Sequence, residues 1–199
     1  GVVGFQIAPH INASGRVDNA LDAYMLLVEK DSKKALQRAV DIHTINTQRQ
    51  EELHIMHERA RILVVTNKLH LKKIIMIAQS NWKPGLVGLV AGKLTEEFAR
   101  PAIICQKNKY ISRCSARSIE KMHLLKAFDS VKPLLLSYGG HARAGGLSFE
   151  NKNFSKIYSG LLTYAESKFK ESDCKPSISI DCEINPTEIT HELVEKIKR

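Results

Sequence analysis

The chain has 199 residues, 43% hydrophobic and 26% charged, which is enough apolar material for a buried core, and no apolar run reaches membrane-spanning length. Thirty Lys and Arg against 21 Asp and Glu leave a net charge of +9, which favours a polyanionic partner such as nucleic acid. Aromatic residues make up only 6%, so binding cannot rest on many base-stacking platforms.

In chain order, residues 1–15 contain Gly and Pro and are expected as a loop leading into a helix from Asp18 to Val28. From Ser32 to about Leu63 apolar residues recur at helical spacing with no Gly or Pro between them. Asp31 or Ser32 would cap this helix, which could span on the order of 45 Å. Its apolar stripe has a gap at Asn46 and Gln50, which implies a polar contact midway or a break. After Leu71 short strands alternate with helices. Strands are expected over Lys73–Ala78, Pro101–Cys105, Tyr110–Cys114 and Leu147–Phe149, and helices over Leu86–Phe98, Leu124–Leu136 and Asn153–Phe169. That alternation argues an α/β domain over about residues 68–172. Glu171–Pro176 reads as a linker, and Ser177–Asp181 alternates like the first strand of another unit. Cys105, Cys114, Cys174 and Cys182 show no C-x-x-C spacing, which fits reduced thiols in a cytoplasmic protein better than a disulfide frame or a zinc site.

Several passages have residue types suited to phosphate. Gly139-Gly140-His141-Ala142-Arg143-Ala144-Gly145-Gly146 combines four glycines with an imidazole and a guanidinium. Such a loop can present free N–H groups to an anion, or it can be a tight strand connection. Ser115-Ala116-Arg117-Ser118 follows a strand, where hydroxyls flanking an arginine can fork onto a phosphate or simply be solvated. Asn12-Ala13-Ser14-Gly15-Arg16 offers an amide and a guanidinium, or an ordinary helix start capped by Asp18. Glycines at 85, 88 and 92 share one helical face and suggest close packing more than a phosphate site. His54 and His57 have i,i+3 spacing but complete no zinc motif, and the seven aspartates form no metal-binding cluster. No metal site is expected in this chain.

Taken in order, these passages resemble the RecJ family of single-strand-specific exonucleases within the DHH/DHHA1 phosphoesterase superfamily. The matching pieces are Ala8–Arg16, Ile45-Asn46 with Arg49-Gln50, Trp82-x-x-Gly85-Leu86-Val87-Gly88-Leu89-Val90-Ala91, Arg100-Pro101, Ser115–Ser118 and Gly139–Ala142. The resemblance implies an α/β DHHA1-type domain with a mixed sheet flanked by helices and preceded by a long connecting helix. Residues 1–30 would end a DHH domain, 31–64 form the connecting helix, 65–172 the DHHA1 domain, and 173–199 begin an OB-like nucleic-acid-binding domain.

By the same resemblance the full-length protein would degrade single-stranded DNA 5′→3′ in recombination and repair. It would use Mn2+ or Mg2+ bound by a DHH domain upstream of Gly1, and the fragment alone would be inactive. His141 would be catalytic, holding the scissile phosphate with Gly139 and Gly140. Arg117 with Ser115 would bind the terminal 5′-phosphate, assisted by Arg16; Asn12 and Ser118 would be further substrate-phosphate or DNA contacts, and Arg143 would add one more. Single-stranded DNA is the implied partner, with a single-strand-binding protein or a helicase as protein partners and no membrane. Two departures stand out: His10 where the family usually has Arg, and Arg143 in place of a small residue. The competing readings are a relative acting on short oligonucleotides or cyclic dinucleotides, and a non-catalytic nucleic-acid-binding module.

Overall fold

The computed structural model describes residues 1–17, 19–175 and 180–197. At its centre is a five-stranded mixed sheet in the order β1-β2-β3-β5-β4: β1 (Ile75–Gln79), β2 (Ala102–Lys107), β3 (Ile111–Arg117), β4 (Ser137–Gly140) and β5 (Ala144–Glu150). Only β1 and β2 are parallel; the other pairs are antiparallel. The β1–β2 connection is helical, as a parallel pair requires. That helix is α4 (Pro84–Phe98), which opens on Pro84, where the missing N–H costs no hydrogen bond.

Two apolar layers enclose the sheet. On one face α4 and the C-terminal half of α3 (Ser32–Thr66) bury Leu86, Val90, Leu94, Met56, Ala60 and Val64 against Ile75, Ile77, Ala102 and Ile104. On the other face α5 (Leu124–Asp129) and α6 (Phe154–Glu166) bury Phe128, Ile157 and Leu161 against Ile103, Ala116, Leu147 and Phe149. The N-terminal half of α3 extends beyond the sheet and carries α1 (Ala8–Val17) and α2 (Ala20–Val28). Asp31 caps α3, accepting from the N–H groups of Lys33 and Lys34. The polar gap in α3 is a contact and not a break: buried Asn46 accepts from Arg49 at 2.8 Å within an uninterrupted helix.

Several expectations are corrected. Residues 3–17 are helical, not a loop. Pro9 falls in the first turn of α1, where it is tolerated, and Ala13 and Ser14 are fully buried. The expected cap, Asp18, lies outside the described residues; Asn19 caps α2 through the Leu21 N–H. The helix expected to reach Leu136 stops at Asp129: Pro133 has no N–H to donate to the Asp129 carbonyl, and a separate 3-10 turn follows at Lys132–Leu134. Strand β3 extends through Arg117, so Ser115 and Arg117 lie within it. Cys105 and Cys114, expected as thiols, are directly opposed across β2 and β3 and form a disulfide, while Cys174 and Cys182 are free. Antiparallel register brings together cysteines whose spacing in sequence fits no motif.

Beyond α6 the chain stays tied to the body. Arg100, mostly buried, donates to the Glu171 carboxylate and to the Lys72 carbonyl, and Cys174 is buried. The Arg100 hydrogen bond holds the Glu171 carboxyl below its usual range. A depressed carboxyl stabilises the fold above its unfolded pKa, and that contribution is lost as pH falls through the lowered value. The strand expected over Ser177–Asp181 lies largely outside the described residues; further on come a 3-10 turn at Pro186–Glu188 and α7 (His191–Ile197).

Phe149 has no solvent exposure and fills the core between β5 and α6. Phe149→Ala is expected to cost about 3–5 kcal/mol in chemical denaturation. Lys93→Ala, on an exposed position of α4, is expected to stay within about 0.5 kcal/mol.

Candidate nucleic-acid interface

The site follows from strand alternation. Along β3, Ser112, Cys114 and Ala116 are buried, with Cys114 and Ala116 in the core beneath α5 and α6, so Arg113, Ser115 and Arg117 fall on the α4 side. Register carries this pattern across the sheet. Ser115 opposes Gly146, which opposes Gly139, while Arg113 opposes Ser148, which opposes Ser137. Helix α4 packs on β2 and β3, leaving this face of β5 and β4 uncovered. A Cβ placed at Gly139 would meet nothing within 4 Å, and one at Gly146 would meet only the Cys114 carbonyl oxygen at 3.4 Å. Ser137 and Ser148 share a hydroxyl hydrogen bond of 2.7 Å on the same face. The result is a bare trough floored by backbone and hydroxyls.

The first turns of α4 form its wall. A Cβ at Gly88 would stand 2.9 Å from Ser115 Oγ and 3.7 Å from Arg117 Nη2, so the missing side chain is what lets these groups lie against the helix. A Cβ at Gly85 would collide with the backbone carbonyl of Arg16. Arg16 also directs Nη1 at the Gly85 carbonyl, 3.4 Å away. Gly92 makes no such close approach. Arg16, Ser115 and Arg117 therefore gather around one turn of α4. Asn12, one turn before Arg16 on α1, shares with it a cleft of about 490 Å³ between α1 and α2 whose lining comes from residues 11–27, and no contact brings it to Ser115 or Arg117.

One arginine outside the expected site set has an unusual environment. Arg49 of α3 donates from Nη2 to Asn46, and its Nε is buried with no partner. Burial and the nearby charge of Arg16 both hold its pKa below the usual arginine value. The gap in the apolar stripe at Asn46 is the signal in the sequence. None of Arg16, Arg49 and Arg117 has a carboxylate partner among the described residues.

The glycine-rich passage is a β-hairpin, not a loop with free N–H groups. Gly140 has φ +133°, which favours glycine, and the His141 N–H donates to the Ala144 carbonyl at 2.7 Å. The Ser118 and Leu124 N–H groups donate to the carbonyls of Arg143 and Ala142, pinning the tip to the segment after β3. Because β4 is an edge strand, one row of its peptide groups stays open. His141 is exposed at the tip. Arg117 opposes Ala144, which is bonded to His141, so Arg117 and His141 flank β5 about 10 Å apart in backbone.

Two expected residues are not brought to this place. Ser118 is buried and donates its hydroxyl to the Met122 carbonyl at 2.7 Å. Arg143 lines a separate cleft of about 320 Å³ near Thr95, Ala99 and Lys121. His10 stacks on His43, with Nε2 and Nδ1 3.2 Å apart. His57 lies 3.2 Å from Glu97, and among the described residues no three His, Cys, Asp or Glu side chains are placed to hold a metal ion. The groups present are guanidiniums, hydroxyls and peptide N–H, which suit a phosphate and not a divalent cation.

The DHHA1 domain model matches residues 65–167, and the chain belongs to that family. Within it, the chain is similar to the single-stranded-DNA-specific exonuclease RecJ. It is 34% identical to RecJ of Bacillus subtilis (strain 168) over 96% of this chain and 25% of that protein. With RecJ of Haemophilus influenzae it shares 32% identity over 98% of this chain and 36% of the relative, so it spans about a quarter to a third of their length. Among solved structures, exonuclease RecJ bound to manganese superposes with a TM-score of 0.73 at 28% identity, covering 85% of this chain and 42% of that one. RecJ of Thermus thermophilus in complex with Mn2+ superposes with a TM-score of 0.75 at 29% identity, covering 83% and 24%.

The open space above Gly139 separates binding from stability. Gly139→Val places a β-favouring side chain on the trough floor. It is expected to leave the thermal midpoint unchanged or raised while weakening oligonucleotide binding several-fold. Calorimetry paired with fluorescence anisotropy checks both halves.

Proposed function

We propose that this chain is the substrate-holding DHHA1 portion of a RecJ-like 5′→3′ single-stranded-DNA exonuclease, cytoplasmic and acting in recombination and repair. The observation that carries this reading is the group of Arg16, Ser115 and Arg117 around the glycine turn of α4, at the end of a trough bare enough for a nucleic-acid backbone. The terminal 5′-phosphate sits on Arg117 and Ser115 with Arg16 alongside. His141, across β5, holds the scissile phosphate and meets the negative charge that grows on it as the bond breaks. A fixed separation between end-binding and His141 makes a terminus the preferred substrate.

The RecJ structures hold Mn2+ or Mg2+. In this reading the ion belongs to residues of the longer protein, and this chain's share of the chemistry is to bind and orient phosphate. Alone, the chain binds single strands weakly and in a salt-sensitive way, without cutting them. A single-strand-binding protein or a helicase is the proposed kind of protein partner.

Arg117→Ala is expected to weaken binding of a 5′-phosphorylated oligonucleotide roughly tenfold with little effect on a 5′-hydroxyl one. It should also reduce the slope of log affinity against log salt by about 0.7. Equal loss for both ends would remove Arg117 from end recognition. In the full-length protein, His141→Ala is expected to lower kcat by about 10²-fold or more with KM nearly unchanged. A raised KM at constant kcat would make His141 a binding residue only.

A further inference from the structure

We propose that the tip of the β2–β3 hairpin is a second contact for single-stranded nucleic acid, with Tyr110 as a stacking platform and Lys109 and Arg113 as phosphate partners. It holds the strand several nucleotides away from its terminus. This contact rests on the reading of the Arg117 end of β3 as the place where the terminus is held.

The tip follows from the register. Pairing of β2 with β3 ends at Lys107 opposite Ser112, and the Asn108 N–H donates to the Ile111 carbonyl at 2.9 Å, so Lys109 and Tyr110 are the two corner residues. Exposed corners of this kind are commonly mobile. This one is braced from the end of β5. Asn151 donates its backbone N–H to the Tyr110 carbonyl and its side-chain amide to the Asn108 carbonyl, both at 2.8 Å. Its amide oxygen accepts at 2.7 Å from the hydroxyl of Ser112, which is 1% exposed.

The braced corner presents an aromatic ring to water. Tyr110 is 69% exposed, and among the described residues of 65–167 no other Phe, Tyr or Trp is as open. Lys109 Nζ lies over this ring, 5.2 Å from its centroid. Arg113 is exposed on the α4 side of β3, opposite Ser148, which opposes Ser137 on the trough floor. Glu150, opposite Ile111 in register, is already paired with Lys152, and neither Lys109 nor Arg113 has a carboxylate partner among the described residues.

An open ring beside unanswered cations is what a single strand binds: bases stack on the ring whatever their sequence, and phosphates answer the cations. Continuity with the trough selects this occupant. The open floor passes from the Gly146–Gly139 row to the Ser148–Ser137 row, in the direction of the corner. Seven residues separate Arg117 from Tyr110, roughly 23 Å of strand at about 3.3 Å per residue. Stacked nucleotides about 3.4 Å apart cover that distance in about seven steps, and an extended strand covers it in fewer.

The test measures anisotropy of this chain with 3′-labelled oligothymidylates of about three and about twelve nucleotides, each with a 5′-phosphate or a 5′-hydroxyl. Wild type is expected to bind the long strand roughly tenfold more tightly, since only that one reaches the corner. Tyr110→Ala should weaken the long strand roughly tenfold and leave the short one within about twofold, while Tyr110→Phe keeps the ring and wild-type binding. Lys109→Ala combined with Arg113→Ala should lower the salt slope of the long strand by about 1.4 and leave that of the short one unchanged. All three positions are exposed, so matched melting curves are expected, and the Tyr110→Phe comparison holds even if Tyr110→Ala melts early. Equal loss for both lengths, no loss in either, or wild-type binding that does not rise with length overturns the proposal. If wild type favours a 5′-phosphate and the tip variants change nothing, only the tip contact falls. If the tip variants act as expected and wild type shows no preference for a 5′-phosphate, the end-binding reading falls and the tip contact stands.

Discussion

The close approach of α4 to its neighbours at Gly85 and Gly88 is the constraint on which the rest of the site depends. A methyl group at 85 would collide with the Arg16 backbone, and one at 88 would crowd Ser115 and Arg117. Both positions face inward because glycines three apart share one helical face. The consequence is that side chains from α1 and β3 meet along one turn of a third element. Cations that would repel in isolation are held by backbone contacts whose formation does not need the ligand.

The sheet complements that wall by what it omits. Strands β5 and β4 put Gly146, Gly139, Ser148 and Ser137 on the face α4 leaves open, while Leu147, Phe149 and Tyr138 turn to the other core. One hairpin therefore anchors itself through its bulky residues and offers the trough its small ones. Period-two alternation produces both results from one short sequence. The hairpin tip is held by hydrogen bonds to residues 118 and 124, so His141 is carried on a supported turn.

Much of this is legible in the sequence. The unbroken helical period from Ser32, the capping Asp31 and the strand–helix alternation after Leu71 are local patterns, and the structure keeps them. Arg16, Ser115 and Arg117 stand out because small and basic residues together suit phosphate. What escapes a reading of the sequence depends on contacts between distant segments. The Cys105–Cys114 bond exists because of β2–β3 register, which spacing does not encode. Ser118 has the residue type of a phosphate ligand, yet folding turns its hydroxyl inward onto Met122. Arg49 is legible as a matching piece of the resemblance and beside a polar gap, but its bond to buried Asn46 appears only in the fold. The helical start escapes for another reason: Pro9 and Gly15 read as breakers, yet burial of Ala13 and Ser14 outweighs their low propensity.

The unprotected margin of β4 has a cost for solubility. Natural sheets guard such margins with lysines, prolines or bulges, and Ser137-Tyr138-Gly139-Gly140 has none of these. Any guard placed there would also obstruct the path of a nucleic-acid backbone. The strand is thus left able to zip onto another extended polypeptide, and under the proposed function a nucleic-acid strand lying across it would shield it against clumping.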